Sequence, residues 1–118
     1  MQLGIDEIRP GNFFGNIGFA ISKYAEKQWY WVVREYTGHG VGIEFHEEPY
    51  IYHKAAKNTG SIMKPGMIFT VEPMINEWTH KTRLLEDKWT VKTLDGKLSA
   101  QFEHTVLVTE AGYEILTK

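Results

Sequence analysis

A single stretch of helical periodicity followed by a run of short strands limits what this chain can fold into. Ile17, Ala20, Ile21, Tyr24 and Ala25 recur at the i, i+3, i+4, i+7, i+8 spacing of one apolar helix face. Gly15 or Asn16 is placed to cap that helix, while Ser22, Lys23, Glu26 and Lys27 fall on its wet side. Residues 29–33 are aromatic and β-branched and read as a strand leaving the helix. Gly38, Gly40 and Gly42 follow at period two, where glycine marks a close approach of backbone or ligand. Lys64-Pro65-Gly66 is a turn that launches a strand over 67–72. Residues 84–98 read as a hairpin, with alternation over 89–93 and a type I′ turn signal at Asp95-Gly96. A last strand spans 100–108 and stops at Ala111-Gly112. This order predicts an α+β fold with a mostly antiparallel sheet.

Composition narrows the class. At 118 residues the chain makes one domain, and 42% hydrophobic with 14% aromatic residues suits a packed core. A net charge of -2 and a pI near 6.2 lack the basic stripe of a nucleic-acid binder. No apolar run approaches the roughly 18 residues of a membrane span, so neither nucleic acid nor membrane is an expected partner. Without cysteine there are no disulfides and no thiolate ligands. A soluble, cytoplasmic protein is the expectation. Residues 1–8 read equally as the tail of an element begun earlier in a longer chain or as a frayed terminal turn.

Three pieces place ionisable side chains where strand burial would penalise them. They are Gly38-His39-Gly40-Val41-Gly42 with His46-Glu47-Glu48-Pro49 behind it, Thr70-Val71-Glu72-Pro73-Met74, and Ser99-Ala100-Gln101-Phe102-Glu103-His104-Thr105. Taken singly, each has a plain structural reading. A histidine in a glycine-flanked strand is most often a hydrogen-bonded structural residue, and Glu72 suits an exposed strand end before a proline turn. Glu103 is more telling. Alternation puts Glu103, Thr105 and Leu107 on one face of the last strand and Phe102, His104, Val106 and Val108 on the other. With both faces largely apolar, Glu103 is expected to be covered and to need a cation or a proton.

One histidine and two glutamates brought together would form a hard nitrogen/oxygen site for Mn, Fe, Co or Zn. His46 follows His39 by seven positions, an odd number, so a bend or bulge must intervene if they share a site. Trp89 suits a pocket wall and equally a hairpin tryptophan packed on a sheet. His53, His80 and His104 read as structural or surface histidines.

The runs GHGVGIEFHEEP, KPGMIFTVEPMI and SAQFEHTVLVT, in that order, resemble the C-terminal half of a type I methionine aminopeptidase of the pita-bread fold. Prolidases and proline-specific aminopeptidases share the first elements but usually end in an Arg-Ile-Glu-Asp-type motif. The absence of a long insertion between His46 and Glu72 favours type I over type II. The resemblance implies a curved, mostly antiparallel sheet with one or two covering helices. It implies metal-dependent removal of the N-terminal methionine from nascent proteins by activated water. By the same motifs, His39, Glu72 and Glu103 resemble metal ligands, with Glu103 as the bridging carboxylate. His46 resembles a catalytic, substrate-contacting histidine, and Glu72 doubles as the proton shuttle. Phe45 and Trp89 match positions lining the methionine pocket.

The family centre also uses two aspartates and a further histidine upstream of these motifs. Asp6, Asp87 and Asp95 are the aspartates present, and none has the matching context. The resemblance therefore implies that residues 1–118 form the C-terminal part of a catalytic domain whose N-terminal part is absent. Such a piece is expected to hold at most one of the family's two divalent ions (Co, Mn, Fe or Zn) and to be inactive alone. A truncated sheet would expose an apolar face and favour association through it. The alternative is a non-catalytic binding module of the same fold.

Overall fold

The structure, a computed structural model, describes residues 1–117. Among these described residues two helices precede ten short strands. Helix α1 is Gln2–Ile5 and α2 is Phe14–Lys27. The strands are β1 (Trp31–Val32), β2 (Gly38–Gly40), β3 (Glu47–Ile51), β4 (Ile68–Val71), β5 (Met74–Asn76), β6 (Thr82–Leu84), β7 (Val91–Thr93), β8 (Ser99–Gln101), β9 (His104–Val108) and β10 (Tyr113–Ile115). They form a five-stranded sheet in the order β10-β9-β4-β2-β3, a three-stranded sheet β1-β5-β8, and a β6-β7 pair. Every pairing is antiparallel, as the expected α+β class requires.

Helix α2 buries Phe14, Ile17, Ile21 and Ala25 against the sheet. Phe14 meets the fully buried Phe69 edge-to-face, ring centroids 5.0 Å apart. Burying each such side chain contributes about 1.5–3 kcal/mol, and the aromatic pair about 1 kcal/mol more. The buried stripe is rotated from the expected one: Tyr24 is 57% exposed and Ser22 is buried, donating from its hydroxyl to the Phe19 carbonyl. Neither Gly15 nor Asn16 caps the helix. Phe13 holds that place, and the buried Asn16 side chain instead accepts the Asn58 N–H at 2.7 Å.

The chain after α2 turns through a C-terminal hydrogen-bond pair, Trp29 N–H to the Glu26 carbonyl and Tyr30 N–H to the Ala25 carbonyl. Trp29 takes the left-handed conformation (φ 63) that such an ending needs. Two residues of the expected 29–33 strand are thus used to stop the helix, and β1 is left with Trp31 and Val32. The hairpin also differs from expectation. Its arms are β6 and β7, turning through residues 85–90, while Asp95-Gly96 leads out of β7 into β8, which pairs with β5. The last strand is broken at 102–103 into β8 and β9, which belong to different sheets. Residues 1–8 are docked rather than frayed: Ile5 and Ile8 are in the core.

Two glycines decide how closely β2 is packed. A Cβ on Gly38 would lie 2.2 Å from the Thr70 carbonyl oxygen, and one on Gly40 2.3 Å from that of Glu48. Side chains at 38 or 40 would push β2 away from its neighbours on either side, so both positions flanking His39 are bare.

Candidate metal centre

Adjacent strand ends carry the ionisable groups. His39 lies in β2, Glu72 just past β4, and Glu103 just before β9. In the sheet order β9-β4-β2 these are neighbours, and ligand atoms of the three side chains lie within 4.8 Å of one another. His39 is buried, Glu72 partly buried and Glu103 exposed. The expectation that Glu103 would be covered on both sides does not hold, because the break at 102–103 turns it and Phe102 outward.

Hydrogen bonds fix how the first two groups point. His39 Nδ1 lies 3.0 Å from the Gly40 carbonyl, which can only accept, so that nitrogen carries the proton. In the neutral ring Nε2 then offers a bare lone pair, 3.4 Å from Glu72 Oε1. Two acceptors facing each other at this distance are matched by a cation between them, and the protonated ring–carbonyl bond orients the ligand nitrogen. The buried Thr70 hydroxyl ties the pair together. It accepts the His39 N–H at 3.0 Å and donates to Glu72 Oε1 at 2.8 Å. Gln101 Nε2 donates to Glu72 Oε2 at 3.3 Å. Burial pushes the Glu72 carboxyl above its ordinary range. The Thr70 hydrogen bond pulls it down, Glu103 adds to the rise, and His39 and His46 oppose it.

His46 and His39 do come together. The β2–β3 register shifts between His39 and Gly40, and the chain loops through residues 41–46 before β3. The two imidazoles meet edge-on at 4.3 Å. That is the bend their odd spacing demanded. Phe45 stacks edge-on against His46 at 4.6 Å but is itself 79% exposed. A groove of about 800 Å³ runs from His46 and Glu72 past Tyr36 and Met74 to Leu84 and Trp89. Trp89 is therefore a wall at its far end, 86% exposed. Phe45 backs His46 rather than lining this groove.

Asp6, Asp87 and Asp95 stay away from the centre. Asp6 accepts from Gln2 and Tyr113, Asp87 from Trp89 and Thr90, and Asp95 from the Lys97 N–H. Among the described residues His39, Glu72 and Glu103 are the one group able to hold a metal ion.

Sequence reasoning passed over Thr70, and it read His53 as a structural or surface histidine without linking it to Glu72. Thr70 stands two positions before Glu72 on the same strand face, a polar residue in an apolar run, and that alternation was the available signal. His53 is 3% exposed and its Nε2 accepts the Glu72 backbone N–H at 3.1 Å. Burial, and after it the charge of the N-terminal ammonium, lower its pKa to about 4, while the Tyr36 carbonyl raises it. Between about 6.5 and 4 the unfolded chain binds a proton that the folded chain refuses, so stability is lost as pH falls through this window. The loss approaches about 3 kcal/mol by pH 4. Urea unfolding of the wild type at pH 7 and pH 4.5 should show it, and His53→Gln should remove most of that difference; an unchanged difference overturns the assignment.

Comparison with known proteins agrees along the chain. A sequence model of metallopeptidase family M24 matches residues 1–110. The methionine aminopeptidase of Salmonella typhimurium is 53% identical over 117 residues, covering 99% of this chain and 44% of that protein. The crystal structure of methionine aminopeptidase from Rickettsia prowazekii superposes with a TM-score of 0.97 at 53% identity, over 99% of this chain and 48% of that one. The Thermotoga maritima methionine aminopeptidase structure gives 0.96 at 42% identity, covering 99% of this chain and 47% of the other. The chain thus spans about half the length of the curated relatives it matches.

Proposed function

The chain belongs to metallopeptidase family M24, and on that premise we propose that it carries the histidine–glutamate–glutamate side of a centre that removes methionine from peptide N-termini. One observation supports this above the others: His39, Glu72 and Glu103 converge to within 4.8 Å with the His39 ring already oriented. The donors are one imidazole nitrogen and two carboxylates, a hard set that fits Mn, Fe, Co or Zn. A divalent ion bound there would supply a water of lowered pKa and polarise the scissile carbonyl.

The chain's own residues account for the remaining tasks. His46, beside His39 and lining the groove, is suited to donate to the oxyanion that develops on the attacked carbonyl. The Glu72 carboxyl, whose proton affinity burial raises, is suited to pass a proton to the leaving amine. Thr70 holds its Oε1 in place meanwhile. The groove to Trp89 takes the methionine side chain, with Phe45 fixing the His46 ring from behind. A peptide beginning with methionine is the substrate class, and the cytoplasm, where new chains emerge, is the fitting compartment.

Three ligands make one weak site, and a second ion would have Glu103 alone. Residues 1–118 by themselves should therefore bind at most one ion and release no methionine. Calorimetric titration of Mn²⁺ at neutral pH, run beside an assay on a Met-Ala-Ser peptide, tests both statements. One weakly held ion and no product is the expected result. Two ions per chain, or methionine release abolished by Glu103→Ala, would overturn the one-ion reading and point to ligands shared between two copies.

A further inference from the structure

Resting on that reading of the centre, we propose that His53 is a positioning residue, whose imidazole holds the backbone of Glu72 and so sets where the carboxylate stands. The need for it arises from the sequence. Pro73 ends β4 at Val71, leaving the Glu72 N–H one residue beyond the ladder, with no strand to receive it. His53 supplies the acceptor from 19 residues away, Nε2 to N–H at 3.1 Å. The Tyr36 carbonyl also acts on this ring, raising its proton affinity against burial, and Tyr36 lies in the connection between β1 and β2, three residues before His39. The buried ring thus holds the peptide of one ligand beside the segment that leads to another.

Accepting the Glu72 N–H requires the neutral ring in one tautomer, with the lone pair on Nε2 and the proton on Nδ1. The ring is held there by depth, since His53 is 3% exposed. An apolar side chain of similar size would fill the space yet leave the part-buried Glu72 N–H unpaired. Glu72 would then be free to rotate away from His39. Loss of an outer partner of this kind typically weakens metal affinity about 10- to 100-fold.

The test compares the wild-type 118-residue chain with His53→Phe and His53→Gln. The glutamine amide oxygen can accept from the Glu72 N–H; phenylalanine cannot. Hydrogen exchange read by NMR in the metal-free wild type should show the Glu72 amide protected like its strand neighbour Val71. Exchange at the rate of an unstructured chain overturns the proposal outright. Mn²⁺ titration should then give a Kd raised about tenfold or more in His53→Phe and restored to within about threefold of wild type in His53→Gln. A merely space-filling histidine predicts the reverse pattern: lower urea midpoints in the variants, with the Kd of the folded protein unchanged. That result also overturns the proposal. A wild-type chain that takes up no Mn²⁺ sinks the metal-centre reading instead, and the amide measurement still decides whether His53 holds Glu72. Should His53→Phe not fold, the wild-type amide rate and the His53→Gln titration carry the decision.

Discussion

Glu72→Gln should abolish cation uptake while making the metal-free fold more stable. The exchange removes one of two anionic ligands, and the Mn²⁺ Kd should rise about a hundredfold or more, since outer-shell losses alone reach that range. The stability effect has the opposite sign. Burial makes the folded chain hold the Glu72 proton more tightly than the unfolded chain does, with Glu103 adding to this. As pH rises between the unfolded and folded pKa values, the unfolded chain releases its proton first and stability falls. At neutral pH the buried carboxylate is a net burden on the metal-free fold. Glutamine removes the charge but still accepts the Thr70 hydroxyl. A urea midpoint at pH 7 above wild type, with the acid-side dependence flattened, is the expected result. A lowered midpoint would mean that the His39–Glu72 contact stabilises the fold by itself. Glu103→Gln is the matched comparison: its exposed carboxylate should be needed for the cation, while its removal should raise the urea midpoint less than Glu72→Gln, because burial of Glu72 is the larger cause.

Gly18→Ala should cost about 3 kcal/mol, near the top of the usual range for an overpacked position. A Cβ there would sit 2.0 Å from the Tyr52 carbonyl oxygen and 3.0 Å from the His53 carbonyl carbon. Both are backbone atoms just past β3, so no side chain can swing aside to make room. Either α2 lifts from the sheet or residues 52–53 move outward, taking the His53 ring with them. For a domain of this size the loss lowers Tm by about 10 °C or more. Gly112→Ala, where nothing lies within 4 Å, should stay within about 0.5 kcal/mol of wild type. Equal thermal curves for the two variants would refute the close approach. If Gly18→Ala folds, a further loss of Mn²⁺ affinity would trace the displacement through His53 to Glu72.

Local patterns carried the elements and nonlocal ones did not. The 3.6-residue spacing of Ile17, Ile21 and Ala25 located α2 because one buried face repeats within a few residues. It misplaced Tyr24, since apolar spacing cannot say how wide the covered stripe is. Asp95-Gly96 is a turn, as its chemistry requires, but which strands a turn joins depends on partners far along the chain. The final strand looked continuous because alternation is blind to a change of sheet, and that break is what leaves Glu103 exposed. His39, Glu72 and Glu103 stood out as ionisable residues in apolar runs. His53 carried no such mark, because its role is a bond to the peptide of Glu72, which no pattern around position 53 reveals.

The spacing of the three candidate ligands has a consequence for how the chain holds together. His39 and Glu72 are 33 residues apart, and Glu72 and Glu103 are 31 apart. An ion joining them would close two large loops at once, acting as a cross-link in a protein without cysteine. The unfolded chain has no such cluster, so free cation would favour the folded form by mass action, and the unfolding temperature would climb with cation concentration. Chelators would then act on this protein as mild denaturants, and its resistance to proteases would depend on the medium in which it is kept.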